Sequence, residues 1–191
     1  MLLEKAWAKV HGSYMRTEGG LPKHASQHLS GMPAVCYSHD DYRSKPDDLW
    51  RRLKSHDNDG MMMMCSSNSG TNDQFSAGIV LGHAYTLLSV HEVDAYDRVW
   101  KLLKVRNPWG SKEWEGEWSD GHEYWTPELD EQLGHTDEND GTFFIPYENY
   151  MEQFSRTSAC FTAASGLQVS QAETYQGDRT KYFTFALKRD Q

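Results

Sequence analysis

Ala84-Tyr85-Thr86-Leu87-Leu88-Ser89-Val90-His91-Glu92-Val93 and Val99-Trp100-Lys101-Leu102-Leu103-Lys104-Val105-Arg106 flank the short link Asp94-Ala95-Tyr96-Asp97. Two strand-forming runs joined this closely read as an antiparallel hairpin. Its ends carry the chemistry. Gly82-His83-Ala84-Tyr85 opens the first strand, and Arg106-Asn107-Pro108-Trp109-Gly110 closes the second. Antiparallel pairing returns the end of one strand to the start of the other. The separation of 24 positions from His83 to Asn107 therefore does not keep the two side chains apart.

Upstream of the hairpin, Leu3, Ala6, Trp7 and Val10 are spaced three and four apart, which predicts a one-sided helix over residues 2–11, stopped by Gly12. Gly19-Gly20 and Leu21-Pro22 open a long polar stretch to about Asp48. Asp47 or Asp48 is expected to cap a short helix carrying Leu49, Trp50 and Leu53. Asn58-Asp59-Gly60 reads as a turn into the run Met61–Met64 and Cys65. That run is expected to be a buried strand of adaptable core residues, in preference to a metal-binding methionine box. Ser66 to Ser76 reads as a polar loop.

Downstream, Thr126 followed by Pro127 is a cap and first-turn signal for a helix through Leu129 and Leu133, ending at Gly134. Thr142 to Ile145 predicts a strand, and Tyr147, Tyr150, Met151 and Phe154 predict a helix with one buried face. Residues 1–160 are expected to form one domain. Residues 161–191 are expected to be a linker and the start of a following β-domain, with a strand over Lys181–Lys188. Several strands with turn signals and short peripheral helices predict an α+β fold dominated by antiparallel sheet.

The chain has 191 residues, 19 basic against 28 acidic, for a net charge of −9, which excludes the basic footprint of a nucleic-acid partner. Seven Trp and ten Tyr argue for a packed globule. No apolar run reaches membrane-spanning length, and Met-Leu-Leu-Glu-Lys-Ala at the start does not read as a signal peptide. Cys36, Cys65 and Cys160 are an odd set without metal-like spacing, so free thiols and a cytoplasmic location are expected.

A cysteine peptidase needs a thiolate, a histidine to move the proton, and a group that fixes the imidazole. An asparagine does the third task by hydrogen-bonding the ring without adding charge. An isolated histidine at a strand start is ordinarily structural, and an isolated Asn-Pro is ordinarily a turn. Gly-His-Ala-Tyr facing Asn-Pro-Trp-Gly shifts that reading to catalytic His83 and Asn107. Trp109 is then placed to wall the cleft or shield the His–Asn bond.

Leu2-Leu3-Glu4-Lys5-Ala6-Trp7-Ala8-Lys9-Val10-His11-Gly12-Ser13-Tyr14, the His83 and Asn107 segments, Glu113-Trp114-Glu115-Gly116-Glu117-Trp118-Ser119-Asp120, Asp140-Gly141-Thr142-Phe143-Phe144 and Tyr150-Met151-Glu152-Gln153-Phe154 together resemble the calpains, within the papain-like cysteine peptidases. Weaker matches are Ser30-Gly31 and Pro46-Asp47-Asp48-Leu49-Trp50. The resemblance covers roughly residues 2–158, and the Pro after Asn107 favours calpains over papain itself. It implies a barrel-like pair of small antiparallel sheets, calcium-regulated proteolysis of protein substrates, and a core of two subdomains with the cleft between them. The histidine and asparagine belong to the second subdomain. The cysteine and the oxyanion-hole glutamine belong to the first, here an upstream partner. None of Cys36, Cys65 or Cys160 sits in the family's cysteine box, so the isolated chain is expected to be inactive.

The resemblance also implies a calcium site at Glu113, Asp120 and Asp140, with a backbone carbonyl near Glu138. Calcium takes six to eight oxygen ligands. Thr142 departs from the family pattern, which often has an acid there. The other reading of these acids is that they solvate loops, and Asp57-Asn58-Asp59-Gly60 is a turn rather than an EF-hand loop. The alternative function is a non-enzymatic binding or scaffold domain on the same fold.

Overall fold

The computed structural model describes residues 2–165. In chain order the elements are α1 (Leu2–His11), α2 (Pro22–Ser30), β1 (Ala34–Ser38), α3 (Pro46–Asn58), β2 (Met62–Ser67), β3 (Phe75–Ser76), β4 (Ile79–Val80), β5 (Ala84–Ala95), β6 (Arg98–Arg106), α4 (Pro127–Leu133), β7 (Thr142–Pro146), α5 (Tyr147–Gln153) and β8 (Phe154–Cys160). Six strands form one sheet in the order β1-β8-β2-β5-β6-β7, and every neighbouring pair is antiparallel. Strands β3 and β4 form a separate two-stranded sheet. The fold is thus α+β and mainly antiparallel. Its two sheets are of unequal size, one dominant and one a small satellite.

The hairpin β5–β6 anchors the sheet. Tyr96 and Asp97 form its two-residue turn with φ of +55° and +59°. Two positive φ values give the turn whose twist matches the flanking strands, and Asp tolerates that region. The strands run closer to the turn than the sequence predicts, with Ala95 facing Arg98. A bulge between Leu87 and Ser89 shifts the register and moves the core-facing set from Tyr85 and Leu87 to Val90. A bulge adds one residue to one strand and so exchanges the faces beyond it. Leu88 is left exposed there.

Strands β6 and β7 bury both faces. Leu103, Val105, Phe143 and Ile145 pack into a main core with Leu49, Trp50 and Leu53 of α3 and Met63 and Cys65 of β2. The alternate residues Trp100, Leu102 and Phe144 pack into a second cluster with Trp118 and Leu133. This is the two-residue period of a strand used on both sides. Met63 and Cys65 are buried while Met62 is exposed, so the methionine run is a strand that alternates.

The segments before and after these elements depart from expectation. Residues 19–48 are not simply a polar stretch. They hold α2 and β1, and Cys36 lies on β1. Helix α3 begins at Pro46 with no side-chain cap, and Asp47 and Asp48 sit inside its first turn. A proline at the first helical position already has the required φ and lacks the N–H that a cap would satisfy. Phe154 does not extend α5 but starts β8, which pairs with both β1 and β2. Ser66–Ser76 contains the end of β2 and all of β3. By contrast α4 forms as read, with Thr126 Oγ1 accepting from Leu129 N–H and Gly134 in the left-handed region at its end. The predicted strand over Lys181–Lys188 lies outside the described residues.

Candidate active site

His83 stands at the start of β5, held by its neighbours on β2. Ser67 N–H donates to the His83 carbonyl at 3.0 Å. The buried Ser67 hydroxyl accepts from His83 N–H at 2.9 Å and lies 3.1 Å from the His83 carbonyl. Gly82, at φ +62°, turns the chain into the strand, and a Cβ there would meet the Gly70 carbonyl at 2.3 Å. Only glycine allows that approach without strain. Ser67 and Gly82 thus fix the backbone from which the imidazole projects. Neither carried a sequence signal beyond the Gly-His pair.

Asn107 follows the last residue of β6 and is fully buried. Its Nδ2 donates to the Lys112 carbonyl at 3.1 Å, and its Oδ1 accepts from Trp109 N–H at 3.1 Å. These two bonds fix which amide atom faces which way. Oδ1 faces His83 Nε2 at 3.0 Å. A carbonyl oxygen only accepts, so Nε2 carries the proton and donates. The neutral ring therefore keeps the lone pair of Nδ1, which has no protein partner among the described residues. Burial lowers the His83 pKa, and the Asn107 bond partly offsets that shift. The indole of Trp109, half exposed, lies 4.5 Å from the His83 ring centre to centre. The structure thus places His83, Asn107 and Trp109 in one group.

The acids behave differently. Glu113 and Asp120 line one open cleft with Lys112, Trp114, Ser119 and Asn139. Burial pushes the Glu113 pKa up against a bond from Gly141 N–H, and the nearby charges of Asp120 and Asp140 add to the rise. Asp120 Oδ2 is buried with no hydrogen-bond partner among the described residues. Asp140 is exposed, and its Oδ1 accepts from Thr142 N–H at 2.7 Å. Bonds from the Thr142 side chain and N–H lower its pKa. Among the described residues no three His, Cys, Asp or Glu side chains gather closely enough to hold a metal by themselves.

His135, unnoticed in the sequence, braces this cleft. Its ring stacks on Trp125 at 3.7 Å and 4°. Nε2 lies 3.1 Å from Asp120 Oδ1, and Nδ1 lies 2.8 Å from Asp130 Oδ1. Burial pulls its pKa down, but the bonds and charges of Asp120 and Asp130 together carry it above the usual value. The signal available was its place directly after Gly134, where a helix-ending turn swings the next side chain back toward the sheet.

The three cysteines are free thiols. Cys65 and Cys160 are buried, and Cys36 is exposed on β1. Burial pushes the Cys65 thiol well above its ordinary range, so it resists forming the thiolate that a nucleophile requires.

A half-buried histidine, tied through one nitrogen to a buried asparagine and free at the other, has the form of an oriented general base. On an α+β sheet with this hairpin, that defines a domain of the cysteine-peptidase type. Residues 1–161 match the model of the calpain family cysteine protease, and the chain belongs to that family. It is 34% identical to Calpain-9 of Rattus norvegicus over 174 residues, 87% of this chain and 25% of that protein. It is 35% identical to Calpain of Schistosoma mansoni over 177 residues, 89% of this chain and 23% of that protein. It is 36% identical to the Calpain-type cysteine protease DEK1 of Zea mays over 166 residues, 83% of this chain and 8% of that protein. The chain therefore spans a quarter or less of the length of these relatives. Among the described residues no helix is long and apolar enough to cross a membrane.

Proposed function

We propose that residues 1–160 are the His/Asn subdomain of a calpain-type cysteine endopeptidase that cleaves protein substrates. An upstream subdomain of the same parent protein supplies the nucleophilic cysteine. The observation that carries this reading is the 3.0 Å bond between His83 Nε2 and Asn107 Oδ1, which leaves Nδ1 open. His83 Nδ1 takes the thiol proton as the sulfur attacks the scissile carbonyl, and returns it to the leaving amine. Asn107 holds the ring in its Nε2–H tautomer throughout and stabilises the imidazolium that forms. Trp109, packed on the imidazole, lines the cleft and limits the water that reaches the His–Asn bond. The setting is cytoplasmic, where a thiol nucleophile stays reduced.

Calcium is the proposed regulatory ion. The pair Glu113 and Asp120 fits a hard cation, because Asp120 Oδ2 is a buried acceptor without a donor among the described residues. When bound, calcium supplies positive charge that offsets the repulsion between these carboxylates. Asp140 would join as a further acid near the same cleft, and carbonyl oxygens and water would complete the shell that calcium prefers.

The test compares purified 1–191 with the same chain joined to a calpain-family first subdomain, using a quenched peptide or casein substrate. Thiol-dependent cleavage by the joined protein and none by the chain alone is the expected result. Cleavage by pure 1–191 would overturn the division of the site, and a Cys65 variant would then identify the nucleophile. A joined protein that binds substrate without cutting it would favour a scaffold role.

A further inference from the structure

Besides the bond from Trp109 N–H, two hydrogen bonds that hold Asn107 lead to Glu113. Its Oε1 accepts from Gly141 N–H at 2.7 Å. The Gly141 carbonyl in turn accepts from Asn107 N–H at 2.7 Å. The peptide joining Lys112 to Glu113 provides the second support, since the Lys112 carbonyl accepts from Asn107 Nδ2 at 3.1 Å. The junction is tight. Gly141 has φ +87°, and a Cβ there would lie 2.6 Å from the Asn107 carbonyl oxygen and 2.9 Å from Gly110 Cα. Such a packed junction transmits a displacement instead of absorbing it. Burial raises the Glu113 pKa, and the charge of Asp120 across the cleft adds to the rise.

We propose that Glu113 is a positioning residue for Asn107. Through Gly141 and the Lys112 carbonyl it holds the asparagine so that Oδ1 faces His83.

The test uses uniformly 15N-labelled chain 1–191 and reads two signals, the Asn107 side-chain amide and the His83 Nε2–H. Glu113→Gln keeps an oxygen for Gly141 N–H but removes the charge. Glu113→Asp keeps the charge but withdraws its reach. Glu113→Ala removes both. Solvent exchange of the His83 Nε2–H should rise about tenfold or more in the Asp and Ala variants, the weight of one charge-assisted hydrogen bond. It should stay within about twofold of the parent in the Gln variant, where a neutral bond remains. The Asp variant decides the matter if the Ala variant fails to fold. Unchanged exchange in the Asp variant overturns the positioning role.

Discussion

His39 and His83 are the same residue type put to opposite uses. His39 sits just after β1 and is 1% exposed. Its Nδ1 lies 2.6 Å from the Phe154 carbonyl, and its Nε2 lies 2.8 Å from Thr157 Oγ1. The carbonyl only accepts, so Nδ1 carries the proton and Nε2 takes one from the threonine hydroxyl. His83 holds the other tautomer, with its proton on Nε2 and Nδ1 without a partner among the described residues. Burial lowers both pKa values, but that of His39 falls to about 4. A histidine with both nitrogens occupied in the core stabilises the fold. One with an open nitrogen at a half-buried strand end is placed to take and give a proton, as proposed for His83.

The sharpest way to break this contrast is to remove each ring in turn. In a peptidase completed by its first subdomain, His83→Ala should lower kcat/KM by about 1,000-fold or more, as loss of the base does in such sites. The same change in 1–191 should alter unfolding free energy by no more than about 1 kcal/mol, because Asn107 Oδ1 keeps the Trp109 N–H. A larger loss by denaturant titration would make His83 structural. His39→Ala should do the reverse, costing about 2–4 kcal/mol for a cavity and for two partners left unpaired, with little change in the signals of His83.

Acid titration extends the comparison. The folded pKa of His39 lies below its unfolded value of 6.5. Above 6.5 both states are neutral there, and the residue adds no pH dependence. As pH falls from about 6.5 to about 4, the unfolded chain gains a proton that the folded chain refuses, so stability drops. A shift of this size is worth roughly 3 kcal/mol. Burial lowers the pKa of His56 and His91 as well, and these act in the same direction. His135 opposes them. Its raised pKa contributes stability that is present at low pH and is lost as pH rises through the folded value. Denaturation curves of His39→Gln between pH 7 and pH 4 should be flatter than those of the parent. An unchanged slope would place the acid sensitivity elsewhere.

The two histidines also mark what the sequence could and could not reveal. His83 was legible because its hairpin has two long apolar runs, a short polar link and a partner motif at the far end. The α4 helix was legible for the same reason, a cap and a stop flanking a clear period. His39 was not, because β1 and β8 on either side of its contacts carry few strand signals. The run Phe154-Ser155-Arg156-Thr157-Ser158-Ala159-Cys160 is mostly small and polar, yet Thr157, Ser158, Ala159 and Cys160 are buried. Its position between β1 and β2 buries them, and that neighbourhood is tertiary information. Helix α2 was missed because Pro22-Lys23-His24-Ala25-Ser26-Gln27-His28-Leu29-Ser30 offers few apolar positions. In the acid cleft, the residue types were visible at Glu113 and Asp120, but the bond from Gly141 and the brace from His135 depend on loops meeting in space.

The smallest effect expected is at Trp109, and it separates wall from support. The indole covers one side of His83 at 4.5 Å while remaining half exposed. Desolvation is the main cause of the lowered His83 pKa, so Trp109→Ala should raise that pKa toward 6.5 by admitting water to the ring. The main-chain N–H of residue 109 still donates to Asn107 Oδ1, so the tautomer should not change. Stability should fall by less than about 1 kcal/mol, because the side chain lies at the surface. A proton NMR titration of His83 reads both quantities, the midpoint and the Nε2–H signal. A higher midpoint with an unchanged Nε2–H signal means that the tryptophan only shields the site. Loss of the Nε2–H signal would mean that the indole holds the imidazole against Asn107, and that His83 depends on packing as His39 does.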